Sequence, residues 1–201
     1  MKKYQYLLLV ITLFMLMFAG QCPKILDIGV VALPEVEQET NMWCWAASMK
    51  AILHMHGTDV NQCEEANWLF GLNDCCNYPV PNHCISGTSG DDQKAVLDHW
   101  GLASTLVYNT ISWNQLKTEI KAGRPINMGW IWCPNNGGHS LDIYGFSEVK
   151  DGTVKYNVAY MDPWPGEGYN SAEYSWVVGG CGPGNPGDHT WYRTIYNIHK
   201  K

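Results

Sequence analysis

The pattern of apolar residues changes near the middle of this chain, and that change limits the folds available to it. In the first half, apolar residues recur at helical spacing in four segments, each closed by a glycine: Gly57, Gly71, Gly101 and Gly123. From residue 125 onward, Ile, Val, Tyr and Trp are concentrated in four strand-like segments: 125–132, 140–146, 154–161 and 191–198. Helices followed by strands predict an α+β fold.

The start of the chain has the features of an export signal. Two lysines precede an apolar run from Leu7 to Phe18, which is shorter than the ~20 residues that a membrane-spanning helix needs. We therefore expect residues 1–21 to be a signal peptide, with an uncleaved membrane anchor as the alternative. Cys22 follows directly and could carry the lipid of a lipoprotein, although Gln21 is atypical of that motif. The predicted location is secreted, or attached to the cell envelope as a lipoprotein.

The charge and composition of the chain argue against nucleic acid, phosphate and dinucleotide ligands. The chain of 201 residues has a formal net charge of −6, and removal of residues 1–21 takes away two lysines and no acid, which leaves −8. An acidic chain does not favour nucleic acid, which is bound by basic patches. No glycine-rich loop follows a strand at the spacing that phosphate or dinucleotide binding needs. We expect no cofactor, no metal, and a monomer with a single domain core.

The number of cysteines agrees with an oxidising compartment. Once Cys22 is set aside for lipid and Cys44 for chemistry, six remain, an even number that suits three disulfides: Cys63, Cys75, Cys76, Cys84, Cys133 and Cys181. Fifteen pairings are possible, and the sequence selects none of them. The adjacent Cys75 and Cys76 should have different partners. A zinc site is the alternative, although the paired C-x₂-C spacing of structural zinc is missing; its ligands would be Cys75, Cys76, His83 and Cys84.

Cys44 lies between two tryptophans at the start of a predicted helix, which Thr40 or Asn41 would cap and which runs to Met55. In the first turn of a helix, unpaired backbone N–H groups and the helix dipole favour negative charge. A thiolate is stabilised there, and the thiolate is the nucleophilic form of cysteine. A small buried core residue is the alternative interpretation. Gln38, six residues earlier, could place an amide donor where an oxyanion forms.

Two later segments could complete a catalytic group. His139 follows two glycines at the start of one predicted strand, and Asp162 closes another. Nucleophile, base and orienting carboxylate would then come from separate segments, as a Cys–His–Asp triad requires. Asp142 is predicted to lie on the opposite strand face from His139, toward solvent or a partner, and is therefore not the orienting acid.

These motifs resemble those of the papain-like cysteine peptidases, nearest to a small bacterial branch that includes staphopains and secreted effector peptidases. Gln38 and the Cys44-Trp45 pair match the family's oxyanion glutamine and its Cys-Trp motif. His139 opens a short strand like that of the family, and Asp162-Pro163-Trp164 resembles its Asn-Ser-Trp. The chain departs from the plant-type pattern in two ways. A Cys-Gly-Ser sequence before the nucleophile is absent, and 95 residues separate Cys44 from His139 instead of roughly 130–150.

The resemblance implies roles for six residues. Cys44 would be the nucleophile, His139 the general base, Asp162 the group that orients the imidazole, and Gln38 an oxyanion donor. Trp45 and Trp164 would pack the lobes and keep water from the ion pair. A helical lobe with Cys44 would face an antiparallel sheet lobe with His139 and Asp162 across a cleft. The peptidase domain would span residues 36–201, after a short N-terminal extension of residues 22–35.

The implied activity is that of a cysteine endopeptidase, which hydrolyses protein or peptide substrates through a covalent acyl-enzyme. Three alternatives stay open at this point. The same triad could deamidate glutamine or transfer its acyl group to an amine, as a transglutaminase does. A catalytically silent papain-like domain would serve only for binding. A processing peptidase for small secreted peptides would be a hydrolase with narrow specificity.

Overall fold

The structure is a computed structural model that describes residues 23–134, 137–182 and 188–201. The predicted signal peptide and Cys22 lie outside the described residues. Within those three ranges, no helix has both the length and the apolar character needed to cross a membrane.

The described residues form five α-helices and seven strands. The helices are α1 (Cys44–Met55), α2 (Gln62–Phe70), α3 (Gly90–His99), α4 (Trp113–Lys121) and α5 (Tyr174–Val178). The strands are β1 (Lys24–Val30), β2 (Leu102–Val107), β3 (Ile126–Trp132), β4 (Gly138–Asp151), β5 (Thr153–Asp162), β6 (Gly168–Glu173) and β7 (His189–Lys200). A short 3₁₀ turn at Asn82–Cys84 precedes α3. The predicted α+β fold is confirmed.

All seven strands belong to one antiparallel sheet, with the order β2–β7–β3–β4–β5–β6. The long strand β4 pairs with β3 along its first half and with β1 along its second half. Residues 24–30, which the sequence places in a short N-terminal extension, therefore form a strand of this sheet. The sequence pattern does not indicate this strand, because apolar residues do not alternate with polar ones between buried and exposed positions. Several apolar side chains are exposed, including Ile28 at 61% and Val30 at 69%.

Two apolar cores lie against opposite faces of the sheet. The first combines buried side chains of α1 and α3, such as Met49, Ile52 and Leu97, with Ile195 of β7. The second combines Leu116 and Ile120 of α4 with buried residues of β3, β4 and β5. The helices α1, α2 and α3 thus form the helical lobe. The fourth predicted helix does not join them, since α4 packs on the far side of the sheet.

Three disulfides are present among the described residues: Cys63–Cys76, Cys75–Cys84 and Cys133–Cys181. The adjacent Cys75 and Cys76 have different partners, as the sequence predicts. The alternative of a zinc site is wrong, because three of its four proposed ligands are sulfur atoms in disulfides. Cys44 is the free cysteine of the described chain.

Candidate active site

Cys44 is the first residue of α1, which agrees with the predicted position in a first turn. The predicted capping residues Thr40 and Asn41 are wrong, because Trp43 occupies the N-cap position and makes no side-chain capping bond. The first N–H groups of this helix therefore have neither an intrahelical acceptor nor a side-chain cap.

The two tryptophans beside Cys44 anchor the helix start to the 3₁₀ turn and to the loop that follows it. Trp43 donates its indole N–H to the carbonyl oxygen of Cys84 at 2.9 Å, and Trp45 donates to that of Ser86 at 3.0 Å. Both indoles are almost fully buried. Because Cys84 is also tied by its disulfide, this loop is held from two directions at one wall of the cleft.

His139 and Asp162 meet at the ends of β4 and β5. The Nε2 atom of His139 lies 2.7 Å from Oδ1 of Asp162, and the backbone N–H of Trp164 donates to the same oxygen at 2.9 Å. The imidazole also lies beside the Cys44 thiol, and each group shifts the pKa of the other. The structure thus brings together Cys44, His139 and Asp162, which 118 residues of sequence separate from first to last.

The charges of this group favour a thiolate beside an imidazolium. Burial raises the pKa of the Cys44 thiol, but the hydrogen bond and the charge of His139 outweigh it and bring the pKa below its ordinary value. Burial lowers the pKa of His139, whereas hydrogen bonds to Asp162 and Cys44 raise it to about 9. Between these two pKa values, the proton resides on the imidazole.

Gln38 lines the same cleft, with its side chain buried. Its backbone N–H donates to the carbonyl oxygen of Pro163 at 2.8 Å, and its Nε2 atom donates to that of Thr40 at 2.7 Å. An amide NH₂ group has two hydrogens. One of them is engaged with Thr40, and the other makes no hydrogen bond to the described residues; the Oε1 atom likewise has no partner among them.

The aromatic ring that covers His139 is one that the sequence did not single out. Trp132, at the end of β3, stacks on the imidazole with 6.0 Å between ring centroids and 26° between planes. Trp164 lines the cleft, but its side chain is 49% exposed. Trp45 is buried in the helical lobe, edge-on to Phe70. Trp132 belongs to no local motif, and its position follows from the pairing of β3 with β4.

The position of Asp142 differs from the prediction that it faces solvent or a partner. Its side chain is fully buried instead of facing solvent or a partner, because the helical lobe covers this face of β4. Asn127 donates to its Oδ1 atom at 2.8 Å. Burial raises the pKa of Asp142 to about 8, against the opposing effects of Asn127, Arg193 and Ser48.

The cleft between the lobes has a volume of about 700 Å³. The helical side contributes Cys44 and Thr88, and the sheet side contributes His139, Asp162 and Trp164. The Cys44 sulfur and the His139 imidazole therefore face a space large enough for several side chains of a peptide.

A sequence profile of the family described as papain-like cysteine protease AvrRpt2 matches residues 28–176. A comparison with curated proteins finds no match. The peptidase domain of Streptococcus ComA, a bifunctional ABC transporter involved in quorum sensing, has a similar structure. It gives a TM-score of 0.55 at 12% identity and covers 83% of this chain and 98% of that domain.

Two further structures are similar. A double-glycine-motif protease from an AMS/PCAT transporter, solved with its leader peptide, gives a TM-score of 0.53 at 15% identity, covering 90% of this chain and all of that one (100%). A structure from work on the mite allergens Blo t 1 and Der p 1 has a TM-score of 0.50 at 11% sequence identity. The match covers 82% of this chain and 67% of that one. At these identities the likeness shows the fold, and the profile match shows the family. The chain belongs to the papain-like cysteine protease family and is a cysteine endopeptidase that acts on protein or peptide substrates.

Proposed function

We propose that this protein is a secreted or envelope-anchored peptidase that cleaves peptide bonds with a Cys44–His139–Asp162 triad. The observation that carries the proposal is the chain of contacts in the cleft. Asp162 lies 2.7 Å from one imidazole nitrogen of His139, and the Cys44 thiol lies beside the imidazole, close enough to raise its pKa. A base that lies between an orienting carboxylate and a nucleophile is the arrangement that covalent catalysis requires.

The proposed reaction begins when the Cys44 thiolate attacks the carbonyl carbon of the scissile bond. Negative charge then develops on the carbonyl oxygen, where the free N–H of the Gln38 amide and the N–H of Cys44 would donate. His139 gives its proton to the leaving amine, and an acyl-enzyme remains. Water attacks the thioester while His139 accepts its proton, which releases the product acid and restores the thiolate. Asp162 keeps the imidazole in the required orientation.

Export is the second part of the proposal. The basic and apolar start of the chain would act as a signal peptide of residues 1–21, and Cys22 would carry lipid if the protein is anchored. Three disulfides among the described residues support an oxidising compartment, because such bonds seldom persist in a reducing cytosol. After processing, residues 24–30 would remain as strand β1 of the peptidase, which we expect to be a monomer.

The decisive experiment is mass spectrometry of a peptide library incubated with the mature protein under mild reductant, with Cys44→Ala as the matched control. We expect chain cleavage that depends on Cys44, and the cut sites would give the specificity. Intact peptides with glutamine converted to glutamate, or joined to amines, would establish deamidation or transglutamination instead. Equal cleavage by the Cys44→Ala protein would refute the assignment of the nucleophile.

Gln38→Ala tests the oxyanion donor separately. Removal of one such donor commonly costs about 10²–10³-fold in kcat, and KM should change little because the interaction forms mainly in the transition state. Kinetics on one peptide from the library would measure both constants. An effect confined to KM would show that Gln38 only binds substrate.

A further inference from the structure

A buried arginine lies directly behind the proposed catalytic pair. Arg193 of β7 is 1% exposed and stands in a row with Gly129 of β3 and Ser140 of β4. Gly129 has no side chain, and a Cβ atom there would lie 2.6 Å from Cγ and Nε of Arg193. The arginine side chain therefore passes over Gly129 and reaches Ser140, the residue that follows His139.

The guanidinium group of Arg193 joins three polar side chains. Its Nη1 atom donates to Oδ1 of Asn127 at 2.6 Å, and its Nη2 atom donates to Oε1 of Gln93 at 2.6 Å and to Oγ of Ser140 at 3.3 Å. The Ser140 hydroxyl donates in turn to Gln93 at 3.1 Å and accepts from Asn127 at 2.9 Å. Buried charges of this kind are often no more stabilising than apolar residues of equal volume. Stability alone therefore gives a weak reason for this arginine.

The same network connects the two lobes. Arg193, Asn127 and Ser140 belong to the sheet, whereas Gln93 belongs to α3 in the helical lobe. The Nε2 atom of Gln93 donates to Oγ1 of Thr88 at 3.1 Å, and Thr88 lines the cleft. A continuous set of hydrogen bonds thus runs from β7, past the strand that carries His139, to the helical wall of the cleft.

The network also borders Cys44, because Ser140 and Cys44 line the same cleft. The backbone N–H of Ser140 helps to lower the pKa of the Cys44 thiol, and its hydroxyl accepts from Arg193. Any shift of Ser140 would move this N–H and the neighbouring residue His139 together.

We propose that Arg193 is a positioning residue of the active site, which holds Ser140 and Gln93 together and so fixes the His139 strand against the lobe that carries Cys44. The inference rests on the proposed function, because it takes Cys44 to be the nucleophile. Arg193 also borders the cleft, but its side chain is 1% exposed, so we assign its effect to Ser140 and Gln93. A guanidinium is suited to this task because its planar fork bonds several acceptors at once, which an ammonium group does not do in a fixed geometry.

The test compares Arg193→Met and Arg193→Lys with wild type. Two readouts are needed: kcat and KM on a cleaved peptide, and the pH dependence of Cys44 alkylation by iodoacetamide, followed by peptide mass spectrometry. We expect Arg193→Met to lower kcat by about 10²-fold, the scale of a 1 Å misplacement, with KM within about threefold. The alkylation midpoint should move toward that of an ordinary thiol. Arg193→Lys should recover only part of either loss.

The matched control is Arg124→Met, which removes the chain's other arginine. Arg124 pairs with Glu119 outside the cleft, with Nε 2.6 Å from the carboxylate oxygen. This variant should keep the wild-type kcat and alkylation profile. A loss equal to that of Arg193→Met would overturn the proposal, since any arginine-to-methionine change would then suffice.

A pair of Gln93 variants keeps the proposal testable if Arg193→Met does not fold. Gln93→Glu retains an acceptor for Arg193 and Ser140, and the Thr88 hydroxyl can donate to the new carboxylate instead of accepting from the amide, so its kcat should stay within about threefold of wild type. Gln93→Leu removes that acceptor and should reproduce the loss in kcat and the altered alkylation profile. Folded variants that lose thermal stability but keep wild-type kcat and alkylation would refute the positioning role. Failure of the proposed function would look different, because wild-type Cys44 would itself alkylate as an ordinary thiol.

Discussion

At the scale of single residues, the site depends on where one proton resides. The Cys44 thiol has a lowered pKa and the His139 imidazole a raised one, although burial opposes both charges. The opposing charges and hydrogen bonds of the pair, together with Asp162, outweigh that burial. In the proposed mechanism, the thiolate would therefore be available before substrate binds.

The first expectation is a bell-shaped dependence of kcat/KM on pH. Activity should rise as the Cys44–His139 pair loses its first proton, below the ordinary thiol pKa, and fall as His139 loses its proton near pH 9. Initial rates between pH 4 and about 10 would measure both limbs. A rate that continues to rise through pH 9 would contradict the ion pair.

The second expectation concerns Asp162→Asn, which removes the carboxylate that helps to raise the pKa of His139 above 6.5. The alkaline limb should move to lower pH. A raised folded-state pKa stabilises the fold fully below the unfolded value of 6.5, and this contribution is lost as pH rises toward about 9. The melting-temperature difference between wild type and Asp162→Asn should therefore shrink over that interval. A difference that grows with pH would refute this reasoning.

Sequence motifs were sufficient for some residues of the site and not for others. Cys44, His139, Asp162 and Gln38 each lie in a short local pattern, and the structure gathers all four in one cleft. Arg193 lies in no pattern, and its contact with Gln93 joins residues 100 positions apart. Such a contact depends on which strands pair in the sheet. The spacing of residues within a short stretch of sequence therefore does not predict it.

At the scale of elements, the prediction was reliable where a helix has a chemical stop signal. Gly71, for example, ends α2 with a positive φ of 65°, a conformation that glycine adopts without strain. The sequence does not predict the edge strands β1, β2 and β6. Their residues show no clear alternation of apolar and polar side chains, and each strand is defined by its pairing with one neighbouring strand. The prediction that Asp142 faces solvent or a partner is also wrong. Alternation along a strand shows which residues share a face, but it does not show which element covers that face.

The third expectation is that Trp43→Phe lowers the free energy of unfolding by about 1–3 kcal/mol, since it leaves the buried carbonyl of Cys84 without a donor. Urea denaturation would measure the change. Trp68→Phe is the matched control, because Trp68 is 38% exposed and should change stability much less. Equal losses in both variants would show that the indole hydrogen bond contributes nothing.

At the scale of the whole molecule, the two lobes are stabilised in different ways. Two disulfides close short segments of the helical lobe, and the third, Cys133–Cys181, links the end of β3 to the segment after α5. No described disulfide crosses between the lobes. The predicted two-lobe arrangement is confirmed, but the placement of α4 was not foreseen, because an amphipathic helix packs equally well on either face of a sheet.

The fourth expectation follows from the lengths of the closed loops. Loss of Cys133–Cys181, with a separation of 48 residues, should cost about 4 kcal/mol, and loss of Cys63–Cys76, with 13, about 3 kcal/mol. Paired Cys→Ser variants in urea denaturation would give both values. If the shorter loop proves the more costly, chain entropy is not the main source of stabilisation.

The place of β7 in the sheet has a consequence for the timing of activity during synthesis. This strand lies between β2 and β3 and carries Arg193, yet it is translated after every other described element. Cys44, His139 and Asp162 all leave the ribosome earlier, but until β7 arrives the sheet that aligns them has a gap in its interior. We therefore expect no proteolytic capacity in the nascent chain until residues 189–200 have been made and paired with β2 and β3.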